Sequence, residues 1–287
     1  MFNDLPGMGD QKLVTDQVLY AESPRWRQGR LFFSDVHDYK VKCVDLDGNI
    51  TVLADVPNRP AGIGFMPDGQ LVVATAFDRC IWTVTAGRLN LLADLSTLSS
   101  GLLNDMVVDG NGRAYVGATG FNLMAGESPK PGQVIKVEMK EPPVVVADDV
   151  MFPNGIAVSA AGDRLFLAET AAHRVSTFGI AQDGTLTDRR LFVQLDTEPD
   201  GLCLDGDDGV WVALLRGSEF IRFDADARQT HAIDAEGRLA VACVLGGENR
   251  LHLFLCSADT TMERLARGVS SGRIHVTVAS APGAGWP

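Results

Sequence analysis

The chain has 287 residues, of which 46% are hydrophobic and 22% are charged, so it can bury a substantial core. Its formal net charge of −12 argues against a surface that binds nucleic acid or an anionic membrane. No apolar run approaches the roughly 20 residues that cross a bilayer, and residues 1–10 carry acids without the apolar segment of a signal peptide.

One layout of short apolar runs and turns recurs six times along the chain. A run at residues 11–19, QKLVTDQVL, precedes the first unit. The six units start at positions 39 to 50 residues apart, and a period in this range indicates propeller blades or helical repeats. These starting positions are Glu22, Ala61, Asn104, Asn154, Asp200 and Ala242.

The content of each unit favours strands over helices. The unit after Ala61 reads IGFMPDGQLVVATA, DRCIWTV and GRLNLLADL, which are runs rich in Val, Ile and Leu separated by hairpin turn residues. No stretch of 12 or more residues combines helical periodicity with caps. The sequence therefore predicts an all-β protein in which residues 1–287 form a single six-bladed β-propeller domain, with four antiparallel strands in each blade.

The sixth unit is one strand short. Its third strand is predicted at RIHVTVAS, residues 273–280, and the following APGAGWP has no strand pattern. The run at 11–19 fits as the missing outermost strand. The N-terminal strand is therefore predicted to pair with the last blade and close the ring.

Equivalent positions in a radial repeat converge on one axis, and here four of the six starting residues are polar. Glu22, Asn154 and Asp200 offer two carboxylates and one carboxamide, without nitrogen or sulfur donors. Such a set favours one hard divalent cation, Ca²⁺ first, with Mg²⁺, Mn²⁺ or Zn²⁺ as alternatives. Asn104 is predicted to hold a substrate oxygen or to join the cation ligands.

Two features of these starting positions allow another interpretation. Taken singly, the Asn-Gly and Asp-Gly pairs at 154–155 and 200–201 are typical of turns. Asp105, which follows Asn104, is predicted to point toward the neighbouring blade interface, as either a structural or a catalytic carboxylate. The shared repeat position and Glu22-Ser23-Pro24, which is no turn motif, favour the axial site.

Other residues are predicted to surround this site. The long loops 120–133 and 257–273 are candidate lids on the same face of the propeller. His173 falls in a loop of that face, either in solvent or against substrate. The five cysteines include no C-x-x-C pair, which indicates buried, reduced thiols in a cytoplasmic protein.

At these positions the chain resembles the SMP-30/gluconolactonase/luciferin-regenerating-enzyme family. The resemblance implies a six-bladed propeller with one divalent cation on its axis and, in many members, lactone hydrolysis. It places the family's metal ligands on Glu22, Asn154 and Asp200, its substrate-binding Asn on Asn104, and its favoured general base on Asp200. The stretches that carry the resemblance are AESPRWRQGRLFFSDV (21–36), PAGIGFMPDGQLVVAT (60–75), NDMVVDGNGRAYVG (104–117), FPNGIAVSAAGDRLFLAET (152–170), PDGLCLDGDDGVWVA (199–213) and VACVLGGENRLHLFLCSA (241–258).

One position departs from the sugar-handling members of that family. These often carry an Arg two residues before the Asn, to bind sugar hydroxyls, and here that residue is Leu102. The predicted active-face loops add further apolar side chains, which favours a substrate less polar than an aldonolactone. They are Phe77, Phe121, Leu123, Met124, Leu214 and Leu215.

The leading hypothesis is a divalent-metal-dependent lactonase in which water attacks the lactone and Asp200 accepts its proton, with Asp105 or Glu169 as reserve bases. The predicted substrate contacts are Asn104, Leu102, Phe121, Met124 and His173. The partner is a small-molecule lactone or ester, and the protein a monomer or homodimer. Alternatives are a gluconolactonase-type sugar lactonase, an organophosphate hydrolase and a non-catalytic Ca²⁺-binding propeller.

Overall fold

The protein is a six-bladed β-propeller. The computed structural model describes residues 10–99 and 101–284, which form six four-stranded antiparallel sheets in a ring. The predicted all-β fold, blade number and strand number are therefore confirmed. The signal-peptide prediction rests on residues 1–10, nearly all of which lie outside the described chain, and a single domain over 1–287 stays a prediction.

Each blade runs outward from the axis in chain order, and β1 (Lys12–Val18) comes before the first. Blade 1 contains β2 (Ala21–Arg27), β3 (Arg30–Asp35), β4 (Lys40–Asp45) and β5 (Ile50–Asp55). Blade 2 contains β6 (Pro60–Phe65), β7 (Leu71–Thr75), β8 (Cys80–Thr85) and β9 (Arg88–Asp94). Blade 3 contains β10 (Leu103–Val108), β11 (Ala114–Ala118), β12 (Gly132–Val137) and β13 (Val144–Val150).

The second half of the chain repeats this order. Blade 4 contains β14 (Pro153–Val158), β15 (Arg164–Glu169), β16 (Arg174–Ile180) and β17 (Leu186–Gln194). Blade 5 contains β18 (Pro199–Leu204), β19 (Val210–Leu214), β20 (Glu219–Phe223) and β21 (Gln229–Asp234). Blade 6 contains β22 (Leu239–Gly246), β23 (His252–Asp259) and β24 (Ser271–Val278), with the short helix α1 (Met262–Ala266) between its last two strands.

The ring closes as the sequence predicts. β1 pairs antiparallel with β24, with Lys12 opposite Val276 and Val18 opposite Gly272. Blade 6 thus takes its outermost strand from the start of the chain. All five cysteines are free and buried, which confirms the prediction of buried thiols. Within the described residues, no helix has the length and apolarity that crossing a membrane requires.

A β-bulge occurs at the same place in every blade. In blade 4, Pro153 lies opposite Glu169 but Ile156 lies opposite Leu167, so one extra residue is inserted near the start of the inner strand. The other five inner strands show the same shift beside their starting residues. A bulge bends the strand and redirects a side chain, and here it occurs at the axial position of each blade.

The glycine that follows the axial residue serves blade packing rather than a turn. Asn154-Gly155 and Asp200-Gly201 lie inside β14 and β18, so the turn interpretation is wrong. A Cβ on Gly155 would overlap the carbonyl oxygen of Asp200 in the next blade, and one on Gly201 would lie 2.6 Å from the Ala242 Cα. Since Ala242 takes this glycine place, the axial residue of blade 6 is Val241.

We expect Gly155→Ala to destabilise the fold. The new methyl group meets the backbone of β18, which cannot retreat without moving blade 5, and overpacking of this kind costs about 1–3 kcal/mol. Urea unfolding followed by circular dichroism measures the loss. Gly206→Ala is the matched control, because it lies in an exposed turn and its added Cβ would be 3.3 Å from the nearest heavy atom, compared with 2.4 Å at Gly155. Equal stability of the two variants would contradict the packing role.

Candidate active site

One cavity of about 510 Å³ brings the predicted axial residues together. It is lined by the first residue of the repeat in five of the six blades, and each of these residues lies beside a bulge. The five are Glu22, Ala61, Asn104, Asn154 and Asp200. The strands therefore deliver two carboxylates and two carboxamides to one enclosed space.

A hydrogen-bond chain orients Asn154 and Asp200. The Asn154 amide nitrogen donates to Asp200 Oδ1 at 2.5 Å and to Thr170 Oγ1 at 3.1 Å. The Thr170 hydroxyl in turn donates to the carbonyl of Pro199 at 2.8 Å. Because the Asn154 nitrogen uses both hydrogens in this way, its oxygen is the atom available to a cation.

The cavity disfavours simultaneous negative charge on the carboxyl groups of Glu22 and Asp200. Burial, followed by the charges of Asp200 and Asp105, raises the pKa of Glu22 well above its usual range. Burial also raises the pKa of Asp200 well above its usual range, against the hydrogen bond from Asn154 and with a further contribution from the charge of Asp105. A cation between them would remove this penalty.

The donor set fits a hard divalent cation. In the described part of the chain, no three His, Cys, Asp or Glu side chains cluster in a way that could hold a metal ion. A ligand set built on the Glu22 and Asp200 carboxylates would therefore need amide oxygen, which Asn154 would supply. Oxygen-only donors of this kind suit Ca²⁺.

Asn104 and its neighbour Asp105, both in blade 3, are engaged in structural bonds. Asn104 donates from its amide nitrogen to the carbonyl of Pro153 at 3.1 Å, which links blades 3 and 4. Asp105 accepts from Arg25 Nη2 at 3.2 Å and from the backbone N–H of Met106 at 2.8 Å. Arg25 belongs to blade 1, so Asp105 pairs with a residue two blades away and not with the adjacent blade.

Glu169 does not line the cavity, which removes it as a reserve base. Its side chain is fully buried and accepts hydrogen bonds from Arg174, Arg189, Ser176 and the backbone N–H of Met151. Burial acts against ionisation, but these bonds outweigh it and lower the pKa of Glu169 to about 2. The group anchors the outer strands of blade 4.

A second ring of cavity residues lies two positions before the axial ones. The sequence argument used this position only at Leu102, yet its equivalents in the other blades also line the cavity. They are Tyr20, Arg59, Phe152 and Glu198. Reading the same repeat position in every blade would have found them.

A family model described as SMP-30/Gluconolactonase/LRE-like region matches residues 20–259. The chain belongs to this family. A 6-deoxy-6-sulfogluconolactonase of Pseudomonas putida is 25% identical over 96% of each chain. A pentonolactonase of Haloferax volcanii is 22% identical and covers 86% of this chain and 84% of its own.

The fold comparison agrees with the family assignment. The solved structure of a calcium-binding protein, regucalcin, from Agrobacterium tumefaciens superimposes with a TM-score of 0.77 at 20% identity, over 97% of both chains. The two lactonases are thus relatives in sequence, and the calcium-binding protein shares the fold.

The cavity wall of this family member is largely apolar. The loop 119–131 contributes Phe121, Leu123 and Met124, and the segment around α1 contributes Met262 and Leu265. Both loops predicted as lids therefore border the cavity.

Of three other residues predicted on the active face, one lines the cavity and two do not. His173 lines the cavity, with its Nε2 3.7 Å from Glu198 Oε1. Leu214 does not line it, because it packs in the core of blade 5. Phe77 also lies outside it and is 42% exposed.

Proposed function

We propose that this protein is a divalent-cation-dependent lactonase whose substrate is less polar than an aldonolactone. The observation that carries the proposal is the meeting of Glu22, Asn154 and Asp200 in a cavity with a largely apolar wall. The lactonase relatives support the reaction class. A cytoplasmic location and a monomer or homodimer remain predictions.

Glu22, Asn154 and Asp200 would hold the cation through their oxygens. When bound, the cation would polarise the lactone carbonyl and stabilise the negative charge that develops on its oxygen. Asp200 accepts the proton of the attacking water and returns it to the departing alkoxide. Its hydrogen bond from Asn154 fixes the carboxylate, so the accepting oxygen is held in place.

The remaining cavity residues orient the substrate. Asn104 is fixed by its bond to Pro153 and offers its amide oxygen to a substrate hydroxyl or ring substituent. Leu102, Phe121 and Met124 exclude water and cover apolar surface of the substrate. His173, at the rim beside Glu198, contacts the part of the substrate farther from the axis.

A sugar lactonase is the second candidate, favoured by the sugar-derived substrates in the names of the relatives. Against it stands Leu102, which cannot donate the hydrogen bond expected of an Arg at that position. A site built for hydroxyls discriminates strongly because unpaired polar groups are costly. Relative rates on the two substrate classes therefore separate the candidates.

The test is a lactone panel assayed with chelated protein to which Ca²⁺, Mg²⁺, Mn²⁺ or Zn²⁺ is returned. We expect chelation to abolish hydrolysis, one cation to restore it, and alkyl or aryl lactones to exceed aldonolactones in kcat/KM. The restoring cation should also raise the melting temperature, since ligand at a hundred times its Kd stabilises by about 2.7 kcal/mol. Full activity in chelator would refute cation dependence, and faster aldonolactone turnover would favour the second candidate.

A further inference from the structure

Arg59 is a cavity cation without a carboxylate at ion-pair distance among the described residues. It directly precedes β6 and lines the cavity with the axial residues. The other cavity arginine, Arg216, forms an ion pair with Glu198. Over the described residues, no acidic oxygen lies within the 4.0 Å of an ion pair with Arg59.

The contacts of the guanidinium are weak ones. Its Nη1 donates to the thioether sulfur of Met124 at 2.8 Å, and its central carbon lies 5.7 Å from the ring centre of Phe77. A guanidinium has five N–H donors, whereas a thioether is a weak acceptor. Burial lowers the pKa of Arg59, against the attraction of Tyr20, Glu22 and Tyr39, and within the described chain the bond to Met124 is the one side-chain hydrogen bond that its donors make.

The backbone holds Arg59 in a fixed position at the cavity edge. Its N–H donates to the carbonyl of Val56 at 3.1 Å, and its own carbonyl accepts from the N–H of Ala76 at 2.9 Å. Pro60 follows directly and restricts the chain further. The backbone from which the Arg59 side chain extends is therefore fixed before a ligand arrives, which reduces the entropy lost on binding.

We propose that Arg59 binds an anionic group of the substrate, so that the preferred lactone carries a carboxylate on an otherwise apolar skeleton. This inference rests on the proposed lactonase function and names the substrate class of the same site. Binding exchanges the weak bond to Met124 for a charge-assisted, bidentate pair. The apolar side chains of the lid loops then cover the rest of the skeleton.

Two other roles for Arg59 make different predictions. If it stabilised the oxyanion of the reacting carbonyl, its loss would lower kcat for every lactone. If it bound neutral hydroxyls, its loss would affect polyhydroxylated lactones most. Only recognition of a remote anion confines the effect to acidic substrates, with the larger change in KM.

The experiment compares γ-carboxymethyl-γ-butyrolactone with its neutral primary amide in cation-loaded protein. We expect wild type to favour the acid by about tenfold to a hundredfold in kcat/KM, the range of a hydrogen bond to a charged group. Arg59→Met should remove this preference by lowering the kcat/KM of the acid to that of the amide, while Arg59→Lys keeps part of it. Arg190→Met, on the outermost strand of blade 4, is the control arginine and should behave as wild type.

A binding measurement without turnover separates this inference from the lactonase proposal. Phenylbutyrate is titrated calorimetrically into chelated protein, where a bound metal cannot capture its carboxylate. Binding at least tenfold weaker in Arg59→Met than in wild type supports the anion site even if no lactone is hydrolysed. Hydrolysis of neutral lactones without any acid preference would overturn the inference and leave the lactonase intact. An equal loss of kcat on acid and amide, or a loss confined to gluconolactone, would also overturn it.

Discussion

Replacing Asp200 with asparagine is expected to lower lactone kcat/KM by about a thousandfold, within the range of general acid–base catalysis. Asn154 can still donate to the new amide oxygen, so the hydrogen bond that orients the site is kept while the proton acceptor is lost. Steady-state assays in cation-replete buffer measure the effect. Asp207→Asn, in the exposed turn after β18, is the matched control.

The same variant has a second signature in stability. Burial raises the pKa of Glu22 most, and the charge of Asp200 raises it further, because two neighbouring negative charges repel each other. Asp200→Asn should therefore melt at a higher temperature than wild type in chelator, and added cation should stabilise it less. A variant that keeps wild-type activity and the full response to cation would place both the base and the ligand elsewhere.

The largest loss of stability is expected from Glu169→Gln. The change leaves Arg174 and Arg189 beside a neutral group in a fully buried position. The pKa of Glu169 is lowered to about 2 from an ordinary value of 4.5. This difference corresponds to about 3 kcal/mol, comparable with the usual cost of breaking a buried pair. Denaturant unfolding at neutral pH measures it.

The pH dependence gives an independent check on Glu169. Because its folded-state pKa lies below its unfolded value, its stabilisation is complete above pH 4.5 and is lost as the pH falls toward about 2. Wild type should therefore lose stability across this window more steeply than Glu169→Gln. Glu263→Gln removes an exposed ion pair with Arg267 and serves as the control, with little expected change. Parallel curves for wild type and Glu169→Gln would show that the group contributes nothing.

The repeat in the sequence was sufficient to predict the fold. Six units of hairpin-like runs predicted the blades, and the strand missing from the last unit predicted its pairing with residues 11–19. The axial residues followed from the same register, since a radial repeat places its equivalent positions around one axis. The predicted axial residue of blade 6, Ala242, lies one position after the observed one, Val241. The extra residue of a bulge cannot be located from the sequence of an uninterrupted apolar run.

The features that could not be predicted from the sequence depend on distances between blades. The glycines after Asn154 and Asp200 have the composition of turns, and only the neighbouring backbone shows that they serve packing. Asp105 of blade 3 pairs with Arg25 of blade 1, and these blades are not adjacent. The spacing of the two residues in the sequence therefore does not predict the pair. Arg59 was visible in the repeat, at the position two before Ala61, but its lack of an acidic partner is a property of the folded cavity.

The pairing of β1 with β24 also constrains how the protein is made. These strands lie at opposite ends of the described chain, so ring closure is the contact with the highest sequence separation and carries a large loop-closure cost. During translation, five blades can emerge from the ribosome before β24 is synthesised. Until then β1 has no partner strand, and the strand edges of the sixth sheet stay unpaired. The proposed cation ligands come from blades 1, 4 and 5, so the proposed site is complete only when blade 1 has joined the ring. If the proposed cation site is correct, cation affinity is linked to ring closure, and an open ring would bind the cation weakly while exposing unpaired strand edges.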